Sequence, residues 1–144
     1  MDYKLSSALH ILVLVSEADS PMSSEEIAVS VGTNPSYIRK ITVLLKKADI
    51  LISHQGKRGF SLLGDPDQIT LFMIYQAIYE TDHVTLFDIH HNPNDECIVG
   101  KHIKPVLSAL FRDGENETEA KLKRMTLNDI ITSLRKEAGL VEGE

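Results

Sequence analysis

The chain has 144 residues, 42% hydrophobic and 25% charged, which suits one globular domain with an appended helix and excludes a disordered chain. Its single cysteine, Cys97, excludes an internal disulfide and a cysteine-built zinc site, and no apolar run approaches membrane-spanning length. The net charge of −6 hides an asymmetry: from Asn34 to Phe60 six bases (Arg39, Lys40, Lys46, Lys47, Lys57, Arg58) outweigh one acid (Asp49), giving +5 there and −11 elsewhere. A basic face on an acidic body orients a protein on a polyanion. The N-terminus carries neither a charged leader nor a small-residue cleavage site, so a cytoplasmic protein is expected, with no membrane partner.

Leu5, Ala8, Leu9, Leu12 and Val13 recur with a helical period, predicting a first helix over about Leu5 to Ala18, stopped by Asp19-Ser20-Pro21. Ser23 and Glu26 have the spacing of a capping box, Ile27, Ala28 and Val31 share a face, and Gly32 ends that second helix. Asn34-Pro35 starts a third, in which Ile38, Ile41, Leu44 and Leu45 form the apolar stripe while Ser36, Arg39, Lys40, Lys46 and Lys47 point elsewhere. Two short helices around a glycine turn, the second basic, read as a helix-turn-helix. Ile50 to His54 and Phe60 to Leu63 flank a glycine-bracketed loop and predict a β-hairpin, a wing with Lys57 and Arg58 at its tip.

After the break at Gly64-Asp65-Pro66-Asp67, Thr70 caps a helix over about Leu71 to Tyr79. A short extended piece is expected at Val84 to Ile89, then a loop through Pro93. A long helical segment is expected from Asn94, bent or displaced by Pro105 and interrupted at Gly114. Thr126 and Asp129 open a last helix, Leu127 to about Ala138, and the tail after Gly139 is expected to fray. The fold class is therefore mainly α with a small β-hairpin wing. It divides into a winged helix-turn-helix DNA-binding domain over residues 1–82, then a connecting loop, a dimerisation helix and a C-terminal helix over residues 83–144.

The order of these pieces resembles the Rrf2 family of bacterial winged-helix transcriptional regulators along essentially the whole chain. The segments that carry it are YKLSSALHILVLVSEAD, NPSYIRKITVLLKKADIL, the wing with LLGDPDQITL after it, and a cysteine opening a long helix. The resemblance implies a homodimer whose long helices cross at a two-fold axis, with paired recognition helices on a palindromic operator. Ser36, Tyr37, Arg39 and Lys40 match the segment that relatives insert into the major groove, and His54 to Arg58 match a minor-groove contact. Many relatives carry an arginine before the first wing glycine and a double glycine after it; this chain has Gln55, then Gly59-Phe60-Ser61. Some relatives hold an iron–sulfur cluster on three close cysteines and a fourth ligand. Here Cys97 stands alone at the third position and Gly100 falls where the fourth ligand would be, so no cofactor is expected.

Base contacts are expected from Ser36, Arg39 and Lys40, and phosphate contacts from the start of the recognition helix (Asn34, Tyr37), Lys4, Lys46 or Lys47, Lys57 and Arg58. Lys46 and Lys47 equally suit the solvation of a helix end. Ile103, Val106, Leu107, Leu110 and Phe111 form the stripe expected to hold a second copy. Cys97, read as about three residues inside a helix, is a candidate redox sensor or else a small residue packed at a helix start. His83, His90, His91 and His102 show no i, i+4 pair, so no metal site is expected, and no catalytic constellation occurs. The expected function is a sequence-specific DNA-binding transcriptional regulator, a repressor, responsive to a thiol oxidant or a small-molecule effector. The alternative is a winged-helix protein-interaction module that does not bind DNA.

Overall fold

The structure, a computed structural model, describes residues 2–56 and 58–140, so the expectations for Lys57 and for the end of the tail lie outside the described residues. Helices α1 (Lys4–Glu17), α2 (Ser24–Val31) and α3 (Pro35–Lys47) lead into an antiparallel hairpin of β1 (Leu51–His54) and β2 (Gly59–Leu62). A 3₁₀ turn at Pro66–Gln68 precedes α4 (Leu71–Tyr79), α5 (Ile98–Arg124) and α6 (Leu127–Glu137).

The helix starts are set locally. Ser23 Oγ accepts the Glu26 N–H at 3.1 Å while the Glu26 carboxylate accepts the Ser23 N–H at 3.2 Å, closing the capping box. Asn34 Oδ1 accepts the Tyr37 N–H at 2.9 Å, Thr70 caps α4 through Met73, and Thr126 and Asp129 cap α6 reciprocally. Each such cap contributes on the order of 1 kcal/mol. Gly32 closes α2 in the left-handed region, its N–H reaching the Ala28 carbonyl.

One core joins most elements. Ile11 and Leu12 of α1, Ile27 of α2, Ile38 and Leu45 of α3, Ile50 beside the hairpin and Ile74 of α4 are buried together. Each contributes about 1.5–3 kcal/mol through the area it removes from water. Ala28 is buried against α3, where a small residue lets two helices approach. Leu127 and Ile131 of α6 belong to this same core, and Arg135 of α6 pairs with Glu17 of α1 at 2.9 Å. A boundary at residue 82 thus separates α6 in sequence from the core it completes.

The wing is pinned to the segment before α2. Met22 and Phe60 exchange backbone hydrogen bonds at 3.1 and 2.8 Å. Gly59 permits this pairing, because a Cβ there would lie 2.7 Å from the Pro21 carbonyl carbon. A second isolated bridge, Leu71 N–H to Met125 O and Leu127 N–H to Ile69 O, both 2.8 Å, ties the start of α4 to the α5–α6 turn.

α5 departs from expectation at its start and at Gly114. It begins at Ile98, not Asn94, because Asn94 Oδ1 accepts the Glu96 N–H at 3.0 Å and holds residues 94–97 as a turn. That turn folds onto Gly100, where any Cβ would collide with the Asn94 carbonyl. The helix runs unbroken through Pro105 and Gly114. Gly114 is helical and lies beneath the Phe87 ring, and the Thr118 hydroxyl donates to its carbonyl at 3.0 Å.

Candidate nucleic-acid interface

The amphipathic design of α3 decides what faces outward. Ile38, Ile41 and Leu45 are buried, which turns Ser36, Arg39, Lys40, Lys46 and Lys47 to solvent. Arg39 Nη1 lies 3.7 Å from Glu25 Oε1 on α2, and Lys47 Nζ lies 3.4 Å from Glu80 Oε1 at the end of α4. Both pairs are solvent-exposed and add little stability. Asn34 spends its side-chain oxygen on the helix cap, and Tyr37 is half-buried against the core, so both shape the start of α3 more than they project from it.

The start of α1 lies beside the start of α3: Tyr3, Ser6 and His10 share a hollow of about 500 Å³ with Thr33, Asn34 and Tyr37. Exposed Lys4 stands at the first position of α1. Between α2, α3 and the wing runs a cleft of about 240 Å³ lined by Ser23, Ser24, Glu25, Arg39, Ser53, His54, Arg58 and Phe60. His54 is bonded across the hairpin to Ser61 at 3.0 Å. The structure therefore gathers Arg39 and Arg58 on one cleft, with Lys40 exposed on the same helix as Arg39. Glu25, which sequence reasoning did not single out, is the acidic side chain of that cleft.

The stripe on α5 splits in two. Ile103, Leu107 and Phe111 are half-buried, and the Phe111 ring lies 5.0 Å from that of Phe87. Val106 and Leu110 are 62% and 64% exposed, as is Val99 at 64%, leaving an apolar face uncovered in the single chain. The half-buried side carries a strap, residues 84–87, whose successive N–H groups are all taken by side chains. Val84 donates to Glu119 at 3.1 Å, Thr85 to the Tyr75 hydroxyl at 3.2 Å, and Leu86 and Phe87 to one Glu115 oxygen at 2.7 and 3.2 Å. Glu115 is buried, while Glu119 also meets Lys123 and His83 at 3.4 and 3.5 Å. The Val84 N–H, above all, holds the Glu119 carboxyl below its ordinary range. The sequence marks an extended piece here but not what holds it, since the acceptors lie 10 to 35 residues from their donors.

Cys97 is the N-cap of α5 and exposed, not a residue within the helix. The N–H groups of Gly100 and then Val99 hold its thiol below the usual range, as expected where backbone donors converge. Among the described residues no three His, Cys, Asp or Glu side chains come together as a metal site, and no helix is long and apolar enough to cross a membrane.

Comparisons with known proteins agree with this geometry. The Rrf2 family, described as iron-dependent transcriptional regulators, matches residues 1–133. YwnA of Bacillus subtilis (strain 168), named as an HTH-type transcriptional regulator, is 43% identical over 131 residues, covering 91% of this chain and 96% of that protein. A solved structure described as a DNA-binding protein is 40% identical with a TM-score of 0.73, over 89% of this chain and 98% of its own. CymR, described as the global cysteine regulator of B. subtilis, has a TM-score of 0.68 at 19% identity over 92% and 95% of the two chains, a likeness of fold alone. The iron of the family description finds no matching donor set here: Cys97 is the one thiol in the sequence, and an iron–sulfur cluster takes several thiolates.

Proposed function

The chain belongs to the Rrf2 family of transcriptional regulators, not of enzymes, and we propose that it works as a homodimeric repressor that sets two α3 helices on a palindromic operator. The observation that carries this reading is the division of α3 between a buried face (Ile38, Ile41, Leu45) and an exposed one (Ser36, Arg39, Lys40). A helix anchored in a core on one side and basic on the other fits a major groove and its flanking phosphates. In this reading Arg39 and Lys40 approach base edges with Ser36. Lys4, Lys46, Lys47 and the wing residues Lys57 and Arg58 meet phosphates, with Asn34 and Tyr37 setting the start of the helix.

The exposed Val99, Val106 and Leu110 are the face a second copy would cover, and α5, at about 40 Å, is long enough to hold two wing units apart. Cys97, exposed where the connecting loop meets α5, is the thiol through which an oxidant would act. A bulky adduct or an intersubunit bridge at that corner would alter the spacing of the two recognition helices, which must match about one turn of DNA.

Selection of duplexes from a random pool by the purified protein tests the reading. An inverted repeat with half-sites about 34–36 Å apart is expected. A selected sequence without two-fold symmetry would sink the palindromic dimer, and no enrichment would favour the protein-interaction module. A reporter placed behind the selected site should rise when the protein is removed. An oxidant should release DNA from the wild type and not from Cys97→Ser; release from both would make the thiol structural.

A further inference from the structure

Glu25 stands out within the cleft between α2, α3 and the wing because its charge opposes everything the surface is for. Ser23 and Glu26 satisfy each other in the capping box, so Glu25 makes none of the cap bonds of α2, although as a first-turn acid it complements the helix dipole. Its carboxylate instead reaches across to α3, 3.7 Å from Arg39 Nη1, with Arg58 of the wing on the same cleft. An acid that only sat near phosphates would weaken binding to every duplex.

We infer that Glu25 is a positioning residue for Arg39: it restrains the guanidinium from the α2 side and thereby trades general affinity for base preference. The inference rests on the DNA reading of α3. The chemistry follows from the guanidinium, a planar fork with five N–H donors. One amino group faces the carboxylate, which leaves the other edge of the fork free to meet the two acceptors of a guanine, O6 and N7. A long side chain without that restraint settles on the nearest phosphate as readily as on a base. The carboxylate repels such phosphate-bound poses more than the guanine-bound one, so wrong sites are penalised more than the right one.

The test uses the full chain, a duplex selected by the wild type from a random pool, and a shuffled duplex of equal length. Glu25→Gln should bind the shuffled duplex several-fold more tightly, with its log–log salt slope steeper by about 2, since one arginine is freed in each protomer. The preference for the selected duplex should fall by about tenfold, concentrated at guanines. In an Arg39→Ala background the same substitution should leave the preference unchanged, and Glu25→Asp should restore part of it. Equal tightening on both duplexes, or an undiminished loss of preference without Arg39, would overturn the positioning role. A wild type with no salt-sensitive binding to any duplex would instead overturn the DNA reading itself, and the inference with it.

Discussion

The winged half of the molecule and the arm formed by α5 are stabilised by different means. In the winged half, caps within three residues start α2, α3 and α4, and a shared aliphatic core of Ile11, Ile27, Ile38, Leu45 and Ile74 fixes their packing. The arm has little core of its own. Its long helix is held by carboxylates that grip the backbone of a strap and by a two-residue bridge at its far end, while its apolar face stays open. A core-packed reader joined to an arm with an uncovered apolar face suits the proposed dimer, in which assembly would set the spacing of the recognition helices.

The largest effect that would sharpen this contrast comes from the open face. Glutamate at Val106 and Leu110 should give monomers by sedimentation with unchanged circular dichroism, and should abolish operator binding because one half-site presents only half the contacts. Leu107→Glu, on the half-buried side, should lower thermal stability instead. If the Val106 and Leu110 variant and the Leu107 variant behaved alike, the split of the stripe would be wrong.

A smaller loss is expected from the strap. Glu115→Ala leaves the Leu86 and Phe87 N–H groups without their acceptor and should cost about 1–3 kcal/mol in denaturant unfolding. A cost below a few tenths would mean that water replaces the carboxylate, and the strap would not then be what holds the arm.

Acid probes the same hold more finely. Glu119 has its carboxyl lowered from the ordinary 4.5, chiefly by the Val84 N–H. A depressed carboxyl stabilises fully above its unfolded value and loses that contribution as pH falls through the folded one. The stability advantage of wild type over Glu119→Gln should therefore be present above about pH 4.5 and shrink as pH falls below it. An advantage that grew on acidification would contradict the bonding.

Cys97 gives the smallest shift and the most local one. Its thiol is pushed below the ordinary 9.0 by the N–H groups of Gly100 and Val99, so the midpoint of alkylation against pH should lie under 9.0. Gly100→Ala, whose methyl would strike the Asn94 carbonyl, should move that midpoint upward. An unmoved midpoint would show that the Asn94 turn does not hold the donors in place.

The same contrast explains what could be read from the sequence. Ser23 with Glu26, Asn34 with Pro35, Thr70, and Thr126 with Asp129 all act within three residues, so every one of these helix starts was legible. The buried stripe of α3 was legible too, because helical period alone separates Ile38, Ile41 and Leu45 from Arg39 and Lys40. The arm was not. Glu115 and Glu119 look like ordinary members of a charged helix until the chain brings Leu86 and Val84 against them. Gly114 looks like a breaker until Phe87 covers it, and Glu25 looks like first-turn decoration until α3 crosses beside it. α6 reads as a last helix of the C-terminal part, although Leu127 and Ile131 complete the first core. Local rules see caps and periods; they do not see partners dozens of residues away.

The salt dependence of binding to the selected duplex tests most directly whether the basic face of α3 and the wing is a DNA surface. If the dimer neutralises about six phosphates, log affinity against log salt should fall with a slope near −5. A flat response across the same range would contradict the DNA reading and leave the protein-interaction module as the account of this fold.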